Sequence, residues 1–486
     1  MATTSFINKN RALVRRRFHI TLSVRCGVYI STLLMGSIAG SSAHPQQATD
    51  QILSLSSVVE NSEKDYPSII VSQENINAAA ANLNLVRTAY LPRIDGVAQF
   101  NRGTRNNVFG SLLPNSVISP MSGPVIGTNN GGSVWGSATG LLITWQPFDF
   151  GLRGANVRAA TAIRDRAVAT GQRTQLEVAT SAADAFLTVL ASQSTRSAAQ
   201  AAVDNWETLR KNIHALVSTE LSPGADEARI EAEKAAAVTQ LALADQAVAT
   251  SQATLQTFLK NSTSTSLNAG RLLTDLPSMQ DSTPPFVPSG TPTMLEQHAL
   301  VQQNMEQLKA IQRSWVPQFN LEGSVYARGT GAEANGQRLP GANGLAPNTG
   351  NYVAGINVIF PFMDFANVHA QEAAQAANLR AAKANETLTD KKLQEQFSQA
   401  QANLSATKII AENTPIQLKA AQTSLDQATA RYKAGLTPID DVAQAQRLLV
   451  AAQIDNSIAR LNVWRAFLRL QYIRGDLQPF LQEANK

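Results

Sequence analysis

The chain carries the same series of features twice, and a duplicated unit restricts it to folds built from two like halves. In the first copy, Ala89-Tyr90-Leu91-Pro92 leads into a strand-like run ending at Arg102-Gly103. A Gly/Asn-rich loop follows, then Trp145-Gln146-Pro147-Phe148-Asp149-Phe150 and a long helix. In the second copy, Ser314-Trp315-Val316-Pro317 leads to Arg328-Gly329, another such loop, then Phe360-Pro361-Phe362-Met363-Asp364-Phe365 and a second long helix. Asp149 and Asp364 are 215 residues apart, and so are Leu221-Ser222-Pro223 and Leu436-Thr437-Pro438 deep in the helical part. An offset kept through a long helix speaks for duplication and against chance composition. Duplicated halves are a common way to build a symmetric wall around a pore.

The N-terminus predicts a secretory signal over residues 1–43. Lys9, Arg11, Arg15, Arg16, Arg17 and Arg25 make a basic segment without acids, Cys26 to Ala39 is apolar, and Ser41-Ser42-Ala43 offers a cleavage site. Arg15-Arg16-Arg17-Phe18 resembles a twin-arginine signal only loosely. The formal charge of +5 becomes −1 once those six basic residues are removed, so no nucleic-acid partner is expected. Cys26 is the only cysteine and leaves with the leader; Val24-Arg25 before it does not suit a lipidation site. A mature chain without thiols fits export without redox chemistry. Beyond the leader no stretch of about 20 apolar residues remains, so any membrane crossing must use strands.

The expected organisation is a first repeat over 44–260, an irregular connection over 261–292, a second repeat over 293–476 and a short mobile tail over 477–486. Residues 44–66 read as an extended lead-in, and Pro67 opens a helix to Tyr90. Over 93–103, Ile94, Gly96, Ala98 and Phe100 alternate with Arg93, Asp95, Gln99 and Asn101. Over 318–329, Phe319, Leu321, Gly323, Val325 and Ala327 alternate with Asn320, Glu322, Ser324, Tyr326 and Arg328. Period two gives each strand one apolar and one polar face. Return strands are expected at 134–145, where the alternation is blurred, and at 351–360. Such strands have the length that a tilted strand needs to cross a bilayer. The loops 104–133 and 330–350 are long for a compact domain and ordinary on the outer side of a membrane barrel. Trp145, Phe148, Phe150, Trp315, Phe360, Phe362 and Phe365 gather at the opposite strand ends, where an interfacial aromatic girdle would sit. The competing reading of the strands is the core of a soluble sandwich.

Residues 155–218 contain no proline and predict a helix of about 96 Å. Residues 366–434 predict a similar rod with a kink at Pro415. Returning helices complete two hairpins, 155–259 and 366–475. Ser222-Pro223 and Thr437-Pro438 read as an N-cap followed by proline at the first helical position. Asp226, Glu227, Asp440 and Asp441 suit the positive helix start, and Gly435 suits a left-handed C-cap. A return helix of about 55 Å leaves part of each rod uncovered. The helix 67–90 and residues 293–315 would supply the missing neighbours, one in each copy.

Together these elements resemble the TolC-like outer-membrane efflux proteins over about 50–476. The most specific stretch is Arg431-Tyr432-Lys433-Ala434-Gly435-Leu436-Thr437-Pro438-Ile439-Asp440-Asp441-Val442-Ala443-Gln444-Ala445-Gln446, which looks like the family's second hairpin turn. The resemblance implies a mainly α fold with a β-barrel part. Each chain of a homotrimer would give four membrane strands to one 12-stranded β-barrel, continued by a periplasmic α-helical barrel. It implies outer-membrane lipid around the strands, with a periplasmic adaptor and, through it, an inner-membrane pump as partners. Leu221, Ser222, Pro223, Gly224, Gly435, Leu436, Thr437 and Pro438 would face that adaptor. Tyr432 and Asp441 match positions that help hold the family's closed end. Thr437 stands where some members have arginine, and Gln444 where some have a second aspartate. Asp440 is placed near the constriction by its position beside Asp441. Three symmetry-related carboxylates in a narrow wet neck attract cations; Asp440 and Asp441 also serve as simple helix N-terminal charges.

His19, His44, His214, His298 and His369 have no ligand spacing, so no zinc site is suggested. No Walker loop or nucleophile elbow is present, and neither catalysis nor a cofactor is expected. The sequence therefore reads as a passive exit duct for small molecules. A type I protein-secretion channel is an alternative within the same class. A soluble periplasmic coiled-coil scaffold or adaptor is the alternative from another class.

Overall fold

Two helices too long for a globular core dominate the computed structural model, which describes residues 53–104, 132–219, 223–259, 266–278, 285–333 and 337–486. All of them lie in one unit, Asp50–Lys486. The leader, the core of the first long loop, and Leu221 and Ser222 lie outside the described residues. In chain order the elements are helices α1 (Leu55–Asp65) and α2 (Pro67–Arg87), strands β1 (Arg93–Thr104) and β2 (Ser133–Phe148), then helices α3 (Leu152–Ser218), α4 (Gly224–Gln256) and α5 (Pro292–Gln312). Strands β3 (Gln318–Thr330) and β4 (Thr349–Ile359) follow, then helices α6 (Phe365–Lys433), α7 (Ile439–Arg474) and α8 (Gln478–Ala484). At 67 and 69 residues, α3 and α6 are each about 100 Å long. α6 is one continuous helix through Pro415.

Each long helix folds back on its return helix, α3 on α4 and α6 on α7. α2 covers part of α3, as the lengths require. α5, expected to serve the second rod, packs against both α3 and α6, and α7 also packs on α3. The two copies are thus joined along the wall. Alanines Ala155, Ala159, Ala162, Ala179, Ala182 and Ala183 are buried along α3 and allow this close approach.

The four strands form one antiparallel sheet in the order β1-β2-β3-β4. The register puts Ile94 opposite Ile143, Leu141 opposite Val325, Trp145 opposite Leu321, and Val325 and Leu321 opposite Tyr352 and Ile356. Directly paired residues point to the same face, so the apolar series of both copies merges into one stripe. That stripe is uncovered: Phe100, Val325, Tyr352 and Ile356 are 65%, 68%, 85% and 74% exposed. The polar face carries the buried Ser324, opposite Leu142, whereas the buried Ser137 stands opposite Phe100 on the apolar face. The blur in the second strand arises because Leu142, next to the outward Leu141 and Ile143, faces the polar side.

Three segments that the sequence leaves irregular converge on one apolar core. The lead-in contains α1, started by a capping box between Ser54 and Ser57, with Val58 and Val59 buried. The connection brings in a 3₁₀ turn at Gly270–Leu272, and Leu53 bridges to Leu267. The tail, expected to be mobile, forms α8 and buries Phe480 completely. These pieces pack on Phe186 of α3 and Trp464 of α7. The Trp464 ring lies 6.1 Å from Phe480 and 6.5 Å from Phe467, and its Nε1 donates to the Asp275 carbonyl at 3.0 Å.

Glu483 of α8 ties this belt together. Its Oε1 accepts from the Ser278 amide at 2.9 Å and from Arg271 at 3.2 Å, and its Oε2 meets Lys486. Burial pushes this carboxyl up, but the hydrogen bonds from Lys486 and Ser278 outweigh it and hold the pKa at about 2, below the ordinary 4.5. A depressed folded-state pKa stabilises above the unfolded value and loses that stabilisation as pH falls through the folded one. Acidification from about 4.5 toward 2 is therefore expected to lower the thermal midpoint of the native protein more than that of Glu483→Gln. Parallel acid titrations of the two would contradict the clamp.

Candidate functional site

At the far ends of the helical hairpins the turn chemistry sets the geometry. α6 closes in a Schellman motif: Leu436 N–H donates to the Arg431 carbonyl and Gly435 N–H to the Tyr432 carbonyl, both at 2.9 Å. Gly435 has φ +69°, the left-handed conformation expected of it. The N-caps of the returning helices are the prolines themselves. Pro223 and Pro438 sit in extended backbone at φ −62° and −68°, just outside the helices. Thr437 thus lies one residue too early to cap, and its buried Oγ1 has no hydrogen-bond partner among the described residues.

These turns place Tyr432 and Asp440 against the first hairpin. Tyr432 Oη donates to Asp226 Oδ2 at 3.1 Å. Arg229 Nη1 pairs with Asp440 Oδ1 at 2.7 Å, and two turns up Arg447 Nη1 lies 3.6 Å from Glu233 Oε1. An apolar patch of Trp206, Ile213, Ile230, Ile439 and Val442 backs these contacts. Asp441 is exposed, and its side chain meets no partner among the described residues. Pro223, Gly224, Gly435, Leu436 and Pro438 are exposed at the turns, as adaptor contacts would need to be.

Asp226 and Arg229 were not among the expected gate residues. The signal for Asp226 was available: it stands 215 residues before Asp441, so the duplication maps one onto the other. Arg229 had no such signal, since the matching position holds Gln444.

The two hairpins are held differently. In the first, Glu207 accepts from Arg210 at 3.1 Å and from Lys234 at 2.9 Å, and His214 meets Glu227 at 2.6 Å. Hydrogen bonds from Arg210 and then Lys234 hold the Glu207 carboxyl at about 2. In the second, among the described residues, no ion pair joins α6 to α7; Ala421, Leu449 and Ala452 pack with Leu418 and Leu425.

At the opposite end, the aromatics collect where strands become helices. Phe148, Phe150 and Phe319 have ring centroids 4.6–6.3 Å apart, and Phe360 stacks on Phe362 at 5.6 Å. Trp145 Nε1 donates to the Tyr90 carbonyl at 3.1 Å. Trp315, Phe362 and Phe365 are 58%, 80% and 68% exposed. Asp149 fixes the joint by accepting from Gly151 N–H at 3.1 Å and from Arg153 N–H at 2.6 Å. Arg153 returns to Asp149 at 2.9 Å and to the Ala89 carbonyl at 3.1 Å. Burial raises the Asp149 carboxyl, and these bonds more than reverse that. The second copy lost this staple, because Val368 stands four residues after Asp364.

Among the described residues, no helix is long and apolar enough to cross a membrane, and no group of side chains could hold a metal ion.

The fold is shared with solved channels. The CmeC outer-membrane channel of Campylobacter jejuni matches with a TM-score of 0.71 at 13% identity, covering 89% of each chain. VceC of Vibrio cholerae gives 0.68 at 16% identity, over 87% of this chain and 96% of that one. The open-state MtrE channel of Neisseria gonorrhoeae gives 0.70 at 17% identity, over 87% and 89%. No curated protein sequence matches the chain. The family model described as outer membrane efflux protein matches residues 58–260 and 289–476, both repeats. Members of that family are transport ducts and not enzymes. With its duplicated hairpins, its bare apolar sheet face and this match over most of its length, the chain belongs to the outer membrane efflux protein family and is an efflux channel of the outer membrane.

Proposed function

We propose that three copies form the passive exit duct of a tripartite efflux system for small molecules. The carrying observation is the sheet. Among the described residues nothing covers its apolar stripe, and β1 and β4 each keep one unpaired edge. A bare apolar face beside two open edges is unstable in water and stable as part of a closed barrel in lipid. Edge-to-edge pairing of β1 with the β4 of the next copy satisfies both. The strand-end aromatics then lie at the membrane interface, and the helices extend into the periplasm. The energy comes from an inner-membrane pump, reached through an adaptor that docks on the turns around Pro223, Gly224 and Gly435–Pro438. Tyr432–Asp226 and Arg229–Asp440 hold neighbouring hairpins together in the closed duct, and Asp441 faces the neck.

Fractionation and recording test this reading. The protein should stay with outer membranes through a carbonate wash, migrate as a trimer in detergent and conduct ions in planar bilayers. A folded, water-soluble monomer would end the duct reading and favour the scaffold.

A further inference from the structure

We infer that an alcove in the helical wall binds amphipathic organic anions, so that the wall carries a cargo subsite. It is a cavity of about 830 Å³ between α3, α4 and α7, a volume in the range of small-molecule pockets. Asp184 and Thr188 project from the side of α3 opposite Ala182, Phe186 and Val189, which face the apolar core. The alcove therefore opens away from the belt of α1 and α8. Under the duct reading, on which only this address rests, that side is the tunnel.

The lining has two characters. Leu243, Ala247, Phe258 and Leu468 make an apolar floor. Two guanidiniums stand at its rim with donor capacity to spare. Arg465 and Arg469 stand one turn apart on α7. Arg469 is exposed and makes no ion pair among the described residues; its guanidinium lies over the Tyr472 ring at 5.1 Å. Arg465 touches Thr188, but its Nε sits 3.4 Å from Asp184 Oδ1 without forming a hydrogen bond, and that buried Nε is unsatisfied. The hydroxyls of Thr180, Thr188, Thr250 and Thr254 donate to carbonyls of their own helices, so their protons are taken, and Thr188 Oγ1 also accepts from Arg465. Asp184 is the only carboxylate in the lining, against two guanidiniums. A ligand that completes this site brings acceptors and negative charge on an apolar body: a carboxylate or sulfonate on an aromatic or aliphatic frame. A cation of the same shape meets two like charges and one competing carboxylate.

The test uses the full-length protein in detergent at pH 8 with two xanthene dyes of similar shape, anionic fluorescein and cationic rhodamine 6G, read by fluorescence polarisation. Fluorescein should bind saturably. Arg469→Gln, which removes no internal ion pair, should weaken it about tenfold, the loss of one charge-assisted hydrogen bond. Arg196→Gln, a change at the Asp245 pair outside the alcove, should leave fluorescein unchanged, and no variant should weaken rhodamine 6G. Fluorescein binding that is absent, or equal in Arg469→Gln and native protein, overturns the alcove. Conductance of the same preparation separates the two claims: a conducting trimer that ignores fluorescein removes the alcove alone, whereas a non-conducting soluble monomer removes the duct.

Discussion

Single channels of the double variant Tyr432→Phe, Arg229→Ala should open far more often than native channels in planar bilayers. The phenol–carboxylate bond to Asp226 at 3.1 Å and the Arg229–Asp440 pair at 2.7 Å are the two shortest polar links described between the hairpins at the turn end. A hydrogen bond to a charged acceptor contributes about 1.5–3 kcal/mol, and an exposed ion pair about 0–1 kcal/mol. Losing both shifts the closed–open balance by about 2 kcal/mol per chain, more than tenfold in the open fraction. Asp440→Ala should reproduce the Arg229 half of the effect. Asp441→Ala, whose side chain has no partner among the described residues, should change cation preference with little change in opening. A double variant with native opening would mean that the closed end is held elsewhere.

Trp464→Ala should be the most damaging single substitution in the helical part. The indole is fully buried, meets Phe467 and Phe480 edge-on, and donates to the Asp275 carbonyl. Emptying such a site costs about 3–5 kcal/mol. Trp464→Phe keeps most of the volume and leaves one carbonyl without its donor, a loss of about 1 kcal/mol. The expected order of thermal midpoints in detergent is native, then Phe, then Ala, with the alanine protein depleted from the outer membrane. A midpoint for Trp464→Ala equal to the native one would mean that the belt of α1, α8 and the connection does not support the wall.

What the residues revealed unaided depended on whether a signal was local. The strands were legible because Phe319, Leu321, Val325 and Ala327 alternate over enough residues to show a period of two. The rods were legible because nothing breaks 155–218, and Gly435 marked its own left-handed cap. The belt was not: α1, the turn at Gly270–Leu272 and α8 are each only a turn or a few long, and each is shaped by burial against Phe186 and Trp464, far away in sequence. The N-caps at Pro223 and Pro438 were misplaced by one residue because serine and threonine suit a cap almost anywhere near a helix start. At the turns, Tyr432 stood out, but its partner Asp226 looked like an ordinary first-turn acid until the fold brought the hairpins side by side.

The unlike bonding of the two hairpins means that they answer to different solvents. Salt screens the Glu207–Lys234 and Glu207–Arg210 links of the first, while cold weakens the aliphatic seam of the second. Brine and chill thus act as separate handles on two arms that the gene copied from one.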